Sequence, residues 1–436
     1  MLIRLITANF LSFEKEIQFD MFPNIKRTSL QNHIYLCNKK LPILKMAALY
    51  GANGSGKSNL LKGINFLKNL VVNKDFLNKD SVIKYFYGLK DNVGDKPIEF
   101  TIEFVTKSGK PFIYSVEILK MGIKREALWL SGLGEKGNSI VFERDGKKVL
   151  YAKSISGDVE KIISGWMEKN PFASLLTINN DMPIITDKNI DIAQKWFIDE
   201  LEIIGLHSFN SFLISIFKNS KEINNFASKL FKTIGLGINS VKVKTENFDD
   251  WVSTHNTDNI PMDKLKDMRS GVLSEFVGFR NTFAISVEDG IQKVSQMMFE
   301  QYGKDGFTKD MDIRAQSDGT VRLLSLIPAL FYAMKCGKTV IIDELDHSIH
   351  PHLVREIVRY FSEQNTNGQL IFTTHQTCLL NKDFIRTDEV WLSEKQDGAS
   401  FIYSLNDFKI HHTINIENGY MEGRYGAIPF IGELNL

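Results

Sequence analysis

Apolar residues follow three rhythms along this chain, and each change of rhythm marks a change of element. LIRLITANF at the amino end reads as a strand, and KEIQFDMF, after a turn, as a second. In PILKMAALYGANGSGKSNLLKGINFLKNLV a buried-type apolar run, a glycine-rich loop and an amphipathic segment follow one another. Leu60, Leu61, Ile64, Leu67 and Val71 fall at the spacing of one helix face, so the stretch is a strand, loop and helix unit. From Pro97 the period drops to two. Ile98, Phe100, Ile102 and Phe104 alternate with polar neighbours, SGK turns, and Phe112, Tyr114, Val116 and Ile118 alternate back. SIVFER and KKVLYA, joined around Asp145-Gly146, extend this antiparallel meander.

From about 157 to about 298 the pattern is mainly helical, with amphipathic pieces such as DIAQKWFIDELEII and EINNFASKLFKTIGL between loops rich in Asn, Asp and Thr. After Arg314 helices alternate with buried strands. Residues 321–334 form a helix with a kink at Pro328, KTVIIDE is a strand, LVREIVRYFSEQ a helix and QLIFTTH another strand. Such alternation predicts an α/β core with a mainly parallel sheet. The core is expected in two parts, 1–155 with the phosphate loop and meander and 301–436 with the later strands, around a mainly helical insertion at 156–300.

Composition narrows the function classes. A chain of 436 residues, 43% of them hydrophobic, can bury the cores of two or three domains. The 53 basic residues are balanced by 52 acidic ones, which gives no reason to expect a broad nucleic-acid-binding face. Cys37, Cys336 and Cys378 are far apart and form no zinc pattern, which fits a reducing compartment, and the cytosol is the simplest assignment. No apolar run reaches the roughly 18 to 20 residues of a membrane helix, so no membrane partner is expected.

GANGSGKS, residues 51–58, matches G-x-x-x-x-G-K-[ST] in its required place between strand and helix. Gly51, Gly54 and Gly56 let the backbone curl so that its N–H groups face phosphate oxygens at the positive end of the helix. Lys57 then reaches the β and γ phosphates and Ser58 ligates Mg²⁺. VIIDE puts Asp343 and Glu344 at the carboxyl edge of a strand, where α/β sheets bind ligands. Asp343 is placed to hold Mg²⁺, directly or through water, and Glu344 to accept a proton from an attacking water. His375, just past a buried strand, can donate a hydrogen bond to the transferring phosphoryl group. His347, His350 and His352 straddle Pro351 without cysteine companions and read as surface or interface residues rather than metal ligands. AQSDGTVRLLSL places Ser317 and Gly319 at a helix start, either as a plain cap or as half of an anion site.

The order phosphate loop, serine-glycine helix, acidic strand and histidine resembles ABC-type ATPases of the SMC, RecF and OLD group, and ANFLSF is similar to the strand that opens that group. SDGTVRLLSLIPAL, VIIDELDHSIHPHLV, TTHQTCLL and GYMEGRYGAIPFIG extend the resemblance to stand-alone ATPase subunits of bacterial anti-phage systems, such as RloA, AbiL-type ATPases and the AriA subunit of PARIS. The resemblance covers about the first 70 and the last 130 residues. It implies ATP and Mg²⁺ as ligands, with Asn53 and Asn59 joining the phosphate-loop residues. It also implies that Ser317 and Gly319 of one protomer close over the γ-phosphate held by another, and that Asp346 couples the two sites. The implied partners are further copies of the chain, in a homodimer or higher oligomer, and a separate effector such as a Toprim-type nuclease; duplex DNA is the partner under the RecF-like alternative. Two departures stand out: no glutamine occurs between Gln31 and Gln194 to serve the usual Q-loop, and the 61 residues after His375 are too few for a Toprim domain. Lys39, Lys40, Lys120, Lys124 and Arg125 are the scattered basic candidates for a DNA stripe.

Overall fold

A computed structural model describes the chain except for residues 38–40, 153–155, 183–186, 207–212, 255–273, 277–282, 411–413 and 430–436. Lys39 and Lys40 therefore lie outside the described residues, as does the end of the GYMEGRYGAIPFIG stretch. The described chain forms two compact units. The first takes Met1–Gly205, Tyr332–Asp346 and Arg355–Leu436, and the second takes Leu206–Phe331 and His347–Val354.

In chain order the first unit begins with β1 (Leu2–Ala8), β2 (Ile17–Asp20), the hairpin β3 (Ile34–Cys37) and β4 (Leu41–Leu44), and β5 (Met46–Gly51), which feeds the helix Lys57–Val72. The meander follows as β6 (Ile98–Val105), β7 (Pro111–Leu119), β8 (Gly122–Leu130), β9 (Ser139–Asp145) and β10 (Lys148–Tyr151), and then β11 (Leu201–Ile204). As the alternation predicts, β6 to β10 pair antiparallel, extended by β1 and β2 in the order β10-β9-β8-β7-β6-β1-β2.

Between this sheet and the parallel one lies the apolar core. Leu60, Ile64 and Leu67 of the helix belong to one buried cluster with Phe10, Phe100 and Phe104 of the amino-terminal half and Ile341 and Ile371 of the later strands. Burying each such side chain contributes roughly 1.5–3 kcal/mol before entropy is counted. Phe66 stacks on Phe100 at 5.4 Å and Phe104 on Trp196 at 4.2 Å. Trp196 is fully buried here, which anchors the residues before β11 in the first unit. Buried polar ties fix register: Gln369 donates to the carbonyls of Leu2 and Leu44 and accepts from the Leu2 N–H.

The second unit corrects the expectation of a mainly helical insertion. Lys221–Thr233 is an amphipathic helix as expected. Beyond it come β12 (Ile238–Asn247), β13 (Ser274–Phe276), β14 (Phe283–Glu288), β15 (Ile291–Tyr302) and β16 (Thr308–Asp312). β15 is the spine of this sheet, pairing with β12 along its length and with β14 and β16 along successive halves. The cause is legible in hindsight. Asp289 and Gly290, with φ of 52° and 78°, make the left-handed two-residue turn of a hairpin between FAISVE and IQKVSQ, whose apolar residues alternate. Moreover, residues 157–204, assigned to the insertion, fold into the first unit.

The later strands return to the first unit: β17 (Thr339–Ile342), β18 (Gln369–Thr373), β19 (Val390–Gln396) and β20 (Ala399–Ser404). They assemble with β5 and β11 in the order β11-β17-β18-β5-β19-β20, parallel except for β20. The helix Asp318–Lys335 runs on unbroken through Pro328. Among the described residues, no helix is long and apolar enough to cross a membrane.

Candidate functional site

β5, β17 and β18 run parallel, so their carboxyl ends share one edge, and the chemistry-bearing side chains gather there. β5 ends at Gly51, where φ is +152° and an added Cβ would lie 2.3 Å from the Ser393 carbonyl oxygen; at Gly56, with φ of +115°, it would lie 2.6 Å from Ser400 Oγ. Both glycines are required by close approach as well as by conformation. The hairpin β19–β20 thus braces the phosphate loop from outside, and Ser393 Oγ donates to the Ser55 carbonyl at 3.0 Å. From the amino-terminal loop, Ser12 Oγ accepts a hydrogen bond from Asn59 at 2.8 Å. Among the described residues no side chain caps the helix that starts at Lys57, and although the Asn59 N–H turns back to the Gly56 carbonyl at 3.0 Å, the positive end of the helix suits an anionic ligand.

Lys57 is buried and its ammonium donates to the carbonyls of Gly51 and Ala52 at 2.7 and 3.0 Å. Burial lowers its pKa, and Glu344, Asp343 and Asp346 nearby oppose that shift. The ammonium therefore rests on the carbonyls of its own loop. A Gly56→Ala protein should bind nucleotide more weakly by about 1–3 kcal/mol, the scale of local backbone strain, and equilibrium titration with a fluorescent ATP analogue will read the change. Wild-type affinity in that variant would mean that the loop closes differently around its ligand.

Across the edge, Ser58 Oγ donates to Asp343 Oδ1 at 3.1 Å. A hydroxyl and a carboxylate oxygen converging in this way are the hard donors that Mg²⁺ prefers, so these two residues fit the ion. The same Oδ1 accepts from Thr373 Oγ1 at 2.7 Å. Glu344 follows in the left-handed region at φ +49°. Asp346 accepts from the His375 N–H at 3.2 Å and from Gln376 Nε2 at 3.3 Å through one oxygen. Its other oxygen is buried and has no hydrogen-bond partner among the described residues, a cost that a ligand or partner group can remove. Partial burial, helped by the Lys57 charge, pulls the His375 pKa below its usual value against Asp346 and Glu344, which favours a neutral ring at pH 7.

Lys57, Ser58, Asp343, Glu344, Asp346 and His375 are thus brought together in the first unit. Asn53 and Gly54 lie exposed on the same loop. Ser317 and Gly319 belong to the second unit. There Ser317 caps its own helix, accepting from the Thr320 N–H at 3.2 Å and sharing a hydrogen bond with the Thr320 hydroxyl at 2.9 Å. Gly319 is needed for close approach, since a Cβ would lie 2.6 Å from the Ser348 carbonyl oxygen.

Sequence reasoning missed Thr373, Gln376, Ser12, Ser393 and Ser400. A hydroxyl closing the otherwise apolar strand end QLIFT was the available signal for Thr373; the serines carried none. No glutamine was found for the Q-loop, yet Gln376 reaches the acid loop from the carboxyl-terminal side.

Parallel strands that deliver a phosphate loop and a magnesium-suited acid to one edge form the core of ABC-type P-loop ATPases, and that is the class of this fold. The chain belongs to the family described as "AAA domain, putative AbiEii toxin, Type IV TA system", whose model matches residues 46–381. It is also similar to the DNA replication and repair protein RecF of Carboxydothermus hydrogenoformans, 27% identical over 161 residues, a match covering 35% of this chain and 41% of that protein. The chain therefore spans well under half the length of that relative. Among solved structures, an SMC head bound to the C-winged helix domain of ScpA is 16% identical, with 92% of this chain and 97% of that one covered at a TM-score of 0.48. An SMC head with an extended coiled coil, bound to the C-terminal domain of ScpA derived from Pyrococcus furiosus, is 14% identical, with coverages of 97% and 98% and a TM-score of 0.43.

Proposed function

We propose that the protein hydrolyses ATP at composite sites formed between copies of the chain, and that this cycle controls a separate nuclease or toxin effector in anti-phage defence. The observation that carries the reading is the shared edge where Lys57, Ser58, Asp343 and Glu344 converge. The phosphate loop and the uncapped helix start bind the phosphate tail, and Lys57 moves from its loop carbonyls onto the β and γ oxygens. Ser58 and Asp343 would hold Mg²⁺, which would neutralise charge on the phosphates. Glu344 takes the proton of the attacking water, and His375 donates to the γ-phosphoryl group. Ser317, Gly319 and Asp346 act across the interface, so that turnover and assembly are linked. The toxin–antitoxin description of the family supports an effector-linked output.

Mixing two inactive proteins tests the composite site. If Lys57 and Ser317 serve one site from different subunits, Lys57→Ala and Ser317→Arg chains that are inactive alone form mixed dimers holding one intact site. Phosphate release near about a quarter of wild type is then expected at equal mixing. No recovery in demonstrably mixed dimers sinks the shared-site reading.

A second reading has one observation in its favour, the RecF relative. It makes the protein an ATP-closed clamp on duplex DNA. Lys120, Lys124 and Arg125, however, are each within ion-pair distance of an acid on the same unit, Asp95, Glu117 or Asp145, which weakens them as phosphate contacts. ATP-dependent duplex binding that falls steeply with salt would move the balance to this reading.

A further inference from the structure

We propose that Thr373 is a positioning residue for both acids of the site, aiming the Asp343 carboxylate and holding the turn that carries Glu344. The inference rests on the ATP-hydrolysing reading above. β17 and β18 pair in parallel, with Ile342 opposite Phe372, so Asp343 and Thr373 are the next rung beyond the ladder. Thr373 is fully buried there.

A threonine hydroxyl has one hydrogen to donate and lone pairs to accept with. Here both capacities are used. Thr373 Oγ1 donates to Asp343 Oδ1 at 2.7 Å and accepts the N–H of Glu344 at 2.7 Å. Its main-chain carbonyl also accepts the Leu345 N–H at 3.1 Å. One residue therefore fastens three consecutive positions of the acid loop.

The two side-chain bonds do different things. The first orients the oxygen that Ser58 also meets, and with two hydroxyls donating to that oxygen the carboxylate has little freedom to turn away. The second ties down the amide of Glu344, whose φ of +49° is unfavourable for a residue with a side chain and persists only where its surroundings enforce it. Valine has the same shape and β-branching as threonine but neither hydrogen-bonding capacity, whereas serine keeps both.

The test compares Thr373→Val and Thr373→Ser by steady-state phosphate release and by electron paramagnetic resonance titration of Mn²⁺ with a non-hydrolysable ATP analogue present. Thr373→Val is expected to lower kcat and weaken Mn²⁺ binding, each by about 10- to 100-fold, as loss of an outer partner of a metal ligand does. The KM for ATP, set mainly by the phosphate loop, should change by less than about threefold. Thr373→Ser should restore both losses. Wild-type kcat and Mn²⁺ affinity in folded Thr373→Val overturns the assignment, as does a folded Thr373→Ser protein as impaired as the valine variant. If the valine protein fails to fold, Thr373→Cys, of similar size but a weak donor, must show the same two losses, and wild-type values there overturn it equally. Absence of phosphate release from wild type and Lys57→Ala alike defeats the hydrolysis reading instead, and the Mn²⁺ titration still decides the role of Thr373.

Discussion

Phosphate release by a Glu344→Gln protein is expected to fall by roughly 10²- to 10⁴-fold, the range that a general base contributes, while nucleotide affinity changes little. Glutamine keeps the length and shape of the side chain and can occupy the same backbone conformation, with its N–H still bound to Thr373 at 2.7 Å. It cannot take a proton from water. Lys57, Ser58 and the phosphate loop keep their hydrogen bonds, and Lys57 loses only the nearby Glu344 charge while Asp343 and Asp346 remain. Because binding survives while turnover stops, the nucleotide-bound assembly should accumulate, and light scattering during chromatography with ATP will report a larger species than wild type gives after turnover. Single-turnover measurements separate the two effects: equal binding with a slowed chemical step is the expected pattern. Unchanged phosphate release in Glu344→Gln removes Glu344 from the reaction and favours a scaffold that binds nucleotide without consuming it.

The parts of this site that the sequence announced are those in which local pattern and chemistry coincide. GANGSGKS needs Gly51 and Gly56 because the loop passes within contact of Ser393 and Ser400, and Gly54 because its φ is +77°, while VIIDE ends an apolar strand in acids that have a reason to be there. Thr373 was silent because its two side-chain bonds go to Asp343 and Glu344, which are distant in sequence. The strands β19 and β20 were silent for a related cause: WLSEKQ and ASFIYS are short, mixed in polarity, and become strands by pairing with β5 and with each other. In the second unit the amphipathic helices that flank the alternating segments obscured a hairpin whose Asp-Gly turn was in plain view. Local periodicity thus revealed elements that stabilise themselves, and left hidden those that depend on partners.

The last of those hidden features carries the largest expected effect on stability. RTDE, residues 386–389, consists of polar and charged residues, yet Arg386 and Glu389 are almost wholly inaccessible. Arg386 holds Asp388 with two bonds, Nε to Oδ1 at 2.9 Å and Nη2 to Oδ2 at 2.7 Å, and donates to the carbonyls of Ser29 and Asn24 as well. Asp388 also accepts the Asn24 N–H at 2.6 Å, and the neighbouring Glu389 accepts from His33 and from the Arg386 N–H. This cluster pins the segment between β2 and β3 beneath the amino-terminal end of β19. Arg386→Ala leaves the Asp388 carboxylate buried without its counter-charge and strips two carbonyls of a donor, so a loss of about 3–5 kcal/mol is expected in chemical denaturation followed by circular dichroism. Arg386→Lys should recover only part of it, because a single ammonium cannot reproduce the paired geometry. The decisive comparison is Arg386→Met with Asp388→Leu in one chain: removing both charges together removes the desolvation cost, and this double variant should be more stable than Arg386→Ala alone. The phosphate loop lies at the opposite end of β5, so nucleotide affinity measured below the unfolding transition should stay close to wild type in all three proteins. A loss under about 1 kcal/mol in Arg386→Ala would place the cluster in contact with water and end the claim that this pair is desolvated.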